Sequence, residues 1–245
     1  DLAKDIGPGL AKSAIAVTID GVRRDLHDAI DADASVSIIT IDSDEGVEIM
    51  RHTLTAQVLA RAIKNLYPKS KLAIGPTVQD GFYYDVESDE SISSDDLSKI
   101  EEEMKKIIKT KSAITKKLVS KKEALKIFKS NKEPYKEIII NESDQDDNFQ
   151  LYYQDDEEFV DLCRGPHLPN LGFIGSFKLT KVSGAYWKGD SKNSMLTRIY
   201  GTAFSNDKDL QNHLDNIEEA LKRDHRKLGK EMDLFHFQDE APGMV

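Results

Sequence analysis

Asp161-Leu-Cys-Arg-Gly-Pro-His167 places a carboxylate, a thiol and an imidazole in one short segment. Glu158 to Leu162 reads as a strand. Gly165-Pro166 ends it in a turn, because proline cannot donate to a sheet ladder and glycine tolerates turn geometry. Such a turn can bring all three groups to one cleft. Spacing alone leaves two readings open: a hydrolytic or metal site, or a buried cysteine beside a turn histidine that is merely hydrogen-bonded.

Working outward, strand-like runs occur at Phe149 to Tyr153, Phe177 to Val182 and Met195 to Phe204. Upstream, Lys71 to Ile74 and Gly81 to Val86 predict a hairpin, with Gly75, Pro76 and Gly81 at its bends. Met50, Leu54, Val58, Ala62, Ile63 and Leu66 recur at helical spacing from Val47 until Pro68 closes the run, which puts His52 in the first turns of a core-facing helix. Ser93 and Ser94 are N-cap candidates for a helix carrying Leu97, Ile100, Met104, Ile107 and Ile108, and Ser120 with Glu123 makes a capping box for another. The pattern predicts an α+β domain with an antiparallel sheet over residues 47–205. Before it, a short helical start, Gly7-Pro8-Gly9 and the Asp20-Gly21 turn signal predict a small α+β unit. After it, Leu210, Leu214, Ile217 and Leu221 mark a long helix whose charged end looks like a connector.

The 245 residues suffice for a small and a larger unit, and 39% hydrophobic with 32% charged residues fits a globular chain. No apolar run approaches the roughly 20 residues that cross a bilayer. The start at Asp1, with no methionine and no apolar signal, reads as cut from something longer. A single cysteine, Cys163, fits a reducing cytoplasmic compartment. The net charge of −10 argues against generic nucleic-acid binding. Charge is uneven, however. Asp144, Asp146, Asp147, Asp155, Asp156, Glu157 and Glu158 form an acidic stretch, while Lys178, Lys181, Lys188, Arg198 and the run from Lys222 to Lys230 are mainly basic and could hold a phosphate backbone.

Other candidates carry bland readings of their own. His52, with a second ligand one turn later, would start a zinc site, but position 56 is Ala and position 57 is Gln, and a lone helical histidine is more often structural. Lys136 could add a cation and Tyr84 a phenol to the cleft; the plainer readings are a solvated lysine and a sheet-core aromatic. His27, His213, His225 and His236 lack partner spacing. There is no phosphate loop, nucleophile elbow or dinucleotide fingerprint.

Several segments together resemble the bacterial-type threonyl-tRNA synthetases: Asp5-Ile-Gly-Pro-Gly-Leu-Ala-Lys12, Ala73-Ile-Gly-Pro76, Asp80-Gly-Phe-Tyr-Tyr-Asp85, Asp161 to His167 and Gly184-Ala-Tyr-Trp-Lys-Gly-Asp190. Arg198-Ile-Tyr-Gly-Thr-Ala203, Lys222 to Gly229 and Glu240-Ala-Pro-Gly-Met-Val245 continue the match in order. The resemblance implies a partial small β-grasp domain over residues 1–46, lacking its first strands, and an editing domain over residues 47–205. Residues 206–245 would be a linker helix leading to an absent class II catalytic core. ATP, Mg and a catalytic Zn would belong to that core, leaving this stretch without a cofactor.

The implied partners are tRNA(Thr) and mischarged seryl-tRNA, with no membrane. The implied state is a monomeric fragment of a homodimeric enzyme. Carried over by matching segments, the catalytic set is His52, Lys136, Cys163 and His167, with Tyr84, Tyr152, Asp161 and Gln57 binding substrate. No metal is implied, although related alanyl-tRNA editing domains with a similar His and Cys set can hold zinc. The family usually has His-x-x-x-His at the His52 helix; this chain carries one extra residue before Gln57, which weakens the editing expectation. A zinc-dependent hydrolase and a non-catalytic tRNA-binding module are the competing readings. The linker's charged end, Arg223 to Lys230, is the expected contact for the acceptor arm.

Overall fold

The computed structural model describes residues 2–154 and 158–223, together with the backbone of residues 237–238 and 241–244. Residues 1–205 form one compact unit and residues 206–245 another. Chemistry-bearing candidates all fall in the first.

That unit opens with two short helices, α1 (Leu2–Ile6) and α2 (Pro8–Ser13), then strands β1 (Ala14–Ile19), β2 (Val22–Asp25) and β3 (Val36–Thr40). They make an antiparallel sheet in the order β2-β1-β3. Asp20 and Gly21 link the first two strands with φ of 48° and 80°, the left-handed pair that a two-residue hairpin turn requires. Ser43 caps α3 (Asp44–Thr53) by accepting from the Gly46 amide. A π-helical turn, Leu54–Leu59, follows without a break and runs into α4 (Ala60–Leu66). His52 thus stands in the last turn of α3, later than predicted, because the helix starts at the Ser43 cap instead of at the first apolar residue.

Strands β4 (Lys71–Leu72), β5 (Thr77–Val78) and β6 (Gly81–Glu87) come next, and β4 and β5 both pair antiparallel with β6. A 3-10 turn at Ser94–Asp96 leads into α5 (Leu97–Lys109), with Leu97, Ile100, Met104 and Ile107 buried. Then come β7 (Ile114–Val119), α6 (Lys121–Ser130), α7 (Pro134–Glu142), β8 (Phe149–Gln154), β9 (Phe159–Leu162), β10 (Ser176–Tyr186) and β11 (Met195–Phe204). Both bonds of the Ser120–Glu123 capping box form at the start of α6.

The fold is α+β, but residues 47–205 hold two antiparallel sheets where one was expected. A five-stranded sheet runs β10-β11-β6-β4 with β5 also on β6; a three-stranded sheet runs β7-β8-β9. Two strands were missed: β5 is only two residues long, and β7, largely exposed except at Ile114, lacks the alternation that advertises a half-buried strand. The main core gathers α3, α4 and α5 against β6, β10 and β11 around Met50, Leu54, Phe82, Ile100, Met104 and Ile199. The smaller sheet has two faces. Leu151 and Tyr153 pack with Ala124 and Phe128 of α6 and Ile140 of α7. Tyr152 and Asp161, paired across β8 and β9, point the other way.

In the second unit Asn206 caps α8 (Asp207–Lys222) by accepting from the Asp209 amide, and β12 (Phe237–Gln238) pairs with β13 (Ala241–Met244). The basic run beyond Arg223 and the acidic residues 155–157 lie outside the described residues. No helix among the described residues is long and apolar enough to cross a membrane.

Candidate functional site

Asp161 lies on β9, and the turn after the strand carries Cys163 and His167 to the end of α3. There His52 Nε2 lies 2.8 Å from Cys163 Sγ, and the His52 and His167 rings stack at 4.7 Å and 9°. Tyr152 meets the His167 ring edge-on, with centroids 4.4 Å apart. Beside this group, Lys136 Nζ sits 2.6 Å from Asp161 Oδ1, and Tyr84 donates its hydroxyl to Asp161 Oδ2 at 3.3 Å. Lys136 is 3% exposed and Tyr84 1%. Lys136 is therefore not the solvated lysine of the plainer reading, and Tyr84, although it does belong to the core, also carries a polar contact into the site.

Gln57 is brought elsewhere. Its side-chain and backbone carbonyl oxygens both accept from Gln154 Nε2, at 3.0 and 2.6 Å, and Arg61 donates to Gln154 Oε1. The described contacts do not join it to the imidazole pair. The π-turn explains the displacement: the Ala60 amide bonds the Thr55 carbonyl five residues back, so the turn absorbs one extra residue, the signature of a π-bulge.

Thr53, which sequence reasoning passed over, settles the His167 tautomer. Its hydroxyl faces the Ile49 carbonyl at 2.9 Å, the Leu168 amide at 3.0 Å and His167 Nδ1 at 3.1 Å. A hydroxyl has one hydrogen and two lone pairs, and the Leu168 amide must donate. All three contacts are satisfied when Thr53 donates to Ile49 and His167 donates from Nδ1. His167 Nε2, buried and without a partner among the described residues, is then a free lone pair. Burial, and after it the neighbouring His52, hold His167 well below the ordinary imidazole value, and burial lowers His52 as well. Both imidazoles are neutral near pH 7. Burial pushes the Cys163 thiol up to about 12, so it stays protonated and is a poor nucleophile. Burial also raises the Asp161 carboxyl, against the opposing pull of Lys136.

His52, Cys163 and His167 offer three donor atoms within 4.8 Å of one another, a set that could hold a metal ion. Tetrahedral zinc would hold its N and S ligands roughly 3.5 Å apart, so the His52–Cys163 contact would have to open. Asp25 is a second residue missed from sequence; its carboxylate accepts from the Tyr152 hydroxyl and the His167 amide. Nothing around the Asp20-Gly21 turn announces this, because the contact spans 142 positions.

Residues 150–200, which include Tyr152, Asp161, Cys163 and His167, match the family model described as the threonyl and alanyl tRNA synthetase second additional domain. Over all 245 residues the chain is 51% identical to a protein named threonine-tRNA ligase from Prochlorococcus marinus (strain MIT 9211). It is also 51% identical to one of that name from Hahella chejuensis (strain KCTC 2396). The chain spans 38% of the length of each of these relatives. Identity sustained from end to end, together with the matched domain, places the chain in the threonine-tRNA ligase family, as a part of such a protein.

Proposed function

We propose that this chain is the editing region of a threonine-tRNA ligase and hydrolyses seryl-tRNA(Thr) formed by mistake, in a whole enzyme that attaches threonine to tRNA(Thr) using ATP. Residues 1–46 would be a partial β-grasp domain, residues 47–205 the editing domain and residues 206–245 the linker, in a cytoplasmic protein. The observation that carries the reading is the buried His167 Nε2 lone pair, set between Tyr152 and His52 and beside the Lys136–Asp161 ion pair.

The need for such a site is physical. Serine is threonine without a methyl group, and one methyl changes binding by only about 1–3 kcal/mol, so a second site must remove what the first admits. In the proposed step a water oxygen bonds to the acyl carbon as its proton passes to His167 Nε2. The ester bond to the ribose oxygen then breaks, and that oxygen takes the proton, releasing serine and intact tRNA. Lys136 and Asp161 would hold the seryl amine or hydroxyl. Positioned acid-base help of this kind is worth about 100-fold to 10,000-fold.

Two other readings have observations of their own. The turn of Gln57 toward Gln154 favours a degenerate, non-catalytic tRNA-binding module; the three converging donors favour a metal-dependent hydrolase. Deacylation of seryl-tRNA(Thr), with threonyl-tRNA as control, separates them. The expected result is serine-selective hydrolysis that survives chelation and falls at least about 100-fold in His167→Ala. Loss on chelation with recovery on adding zinc would establish the metal reading. Binding without hydrolysis would leave the degenerate module.

A further inference from the structure

Strand β2 ends at Asp25, outside the segment matched by the family model and outside the sets of residues expected to act in catalysis or substrate binding. Its carboxylate is shared between two supports of one imidazole. Oδ1 accepts the His167 backbone amide at 2.9 Å, and Oδ2 accepts the Tyr152 hydroxyl at 2.7 Å. Lys116 Nζ lies 2.8 Å from the same Oδ2, and on the sheet Lys116 stands directly across from Tyr152, which stands across from Asp161. The row Lys116, Tyr152, Asp161 is thus tied at one end by Asp25 and at the other by Lys136.

The tie leaves His167 little freedom. Its backbone is held by Asp25, one side of its ring by Tyr152, the other by His52, and its Nδ1 by Thr53. Tyr152 is itself pinned: a Cβ on Gly165 would lie 1.9 Å from its hydroxyl, so only glycine lets the turn close over that oxygen. Without Asp25, the His167 amide would lose its acceptor and the Tyr152 hydroxyl would keep only the longer bond to Gln150 Oε1, at 3.2 Å, so the turn could move relative to α3.

We propose that Asp25 is a positioning residue for this site, a carboxylate delivered by the small amino-terminal sheet that fixes the direction of His167 Nε2. The inference rests on the hydrolytic reading for its kinetic consequence but not for its geometry. A misplacement of about 1 Å can cost roughly 100-fold in rate, so Asp25→Ala lowers kcat for seryl-tRNA hydrolysis by about 10-fold to 100-fold with KM within about twofold. Asp25→Asn keeps an acceptor for the amide and can donate to the Tyr152 oxygen, so it recovers most of the loss. Asp28→Ala serves as the control. Asp28 also pairs with Lys116, so its removal takes a carboxylate from the same lysine while leaving the Asp25 bonds to Tyr152 and His167 in place.

The experiment uses the 245-residue chain and two readouts: kcat and KM for each variant, and the imidazole nitrogens of His167 followed by long-range proton–nitrogen NMR. The expected spectra show a single Nδ1–H tautomer in the parent and in Asp28→Ala, and an altered His167 signal in Asp25→Ala. A parent that does not hydrolyse seryl-tRNA, with the spectral change intact, overturns the hydrolytic reading and keeps the positioning role. An unchanged His167 signal in Asp25→Ala, or an active Asp25→Ala with unchanged kcat, overturns the positioning role itself.

Discussion

Thr53 and Thr55 stand two positions apart, both fully buried, with opposite polar accounts. The Thr53 hydroxyl has three partners, while the Thr55 hydroxyl has none among the described residues. Stranding a buried donor costs about 1–3 kcal/mol, so Thr53→Val, which orphans the Leu168 amide, should destabilise by about that amount. Thr55→Val keeps the methyl that packs against Gly75 and removes an unsatisfied oxygen, so it should leave stability unchanged or raise it by about 1 kcal/mol. Urea midpoints of the two variants check this, and a loss in both would mean that Thr55 has a partner after all. The buried imidazoles make a second residue-scale prediction. Their folded pKa values are lowered, so below about pH 6.5 the unfolded chain binds protons that the folded chain resists. Their stability contribution is present above that pH and is lost as pH falls. Raised carboxyls such as Asp161 act in the opposite sense, so the readout is the difference between parent and His167→Gln: the variant should show a flatter decline in urea midpoint from pH 7.5 to 5.5. Cys163 and His167 were legible because one strand and one turn carry both. Thr53 and Asp25 were not, since a serviceable hydroxyl or carboxylate looks like any other until a distant segment folds onto it.

Among the elements, the helix over α3, the π-turn and α4 shows what periodicity can and cannot reveal. Its apolar spacing announced a core-facing helix, and the count against the family pattern announced one extra residue before Gln57. How that residue is housed was not readable. A kink, a shifted helix start and a bulge fit the same letters, and the choice depends on packing at both ends. Ile49 and Met50 before the turn, and Ala62 and Ile63 after it, are all buried, so both flanks must keep their faces on the core, and a π-turn does this locally. Removing Ala56 while changing Gln57→His should therefore convert the turn to α-helix without disturbing either flank, and should set an imidazole four residues after His52. The expected outcome is a melting temperature within about 5 °C of the parent, a shift that in a unit of this size corresponds to about 1–2.5 kcal/mol. Seryl-tRNA hydrolysis should rise at least about 10-fold if a second helical histidine assists proton transfer. A chain that no longer folds would show that the flanks depend on the extra residue. A folded variant with unchanged rate would show that Gln57 costs the site nothing. Strand β11, by contrast, was readable to its ends, because Met195 to Phe204 is a long run rich in β-branched and aromatic residues, with Ile199 and Ala203 buried in the main core.

For the molecule as a whole, the proposed function would divide chemistry and tRNA affinity between the two units by charge. Basic residues that looked available for phosphate within the first unit are largely engaged. Lys178 pairs with Glu101, Lys188 with Glu142, and Arg198 with Asp85 through two hydrogen bonds, while Lys181 lies over the Tyr200 ring. Breaking such pairs to bind a phosphate backbone would forfeit what they contribute, so the electrostatic share of tRNA affinity is expected from elsewhere in the chain. The hydrolytic candidates, from Asp25 to His167, all lie in the unit of residues 1–205. A chain ending at Ser205 should then fold, keep the His167 signal and hydrolyse seryl-tRNA with kcat within about threefold of the parent at saturation, since the groups that would act in the transition state are retained. Its KM should rise, and the salt dependence of tRNA binding should flatten, because every phosphate no longer neutralised by the basic run after Lys222 removes roughly one unit of slope. An unchanged KM and slope would place tRNA binding within the first unit despite its paired cations. A collapse of kcat would mean that residues 206–245 help to build the site, and chemistry and tRNA affinity would then not divide between the two compact units.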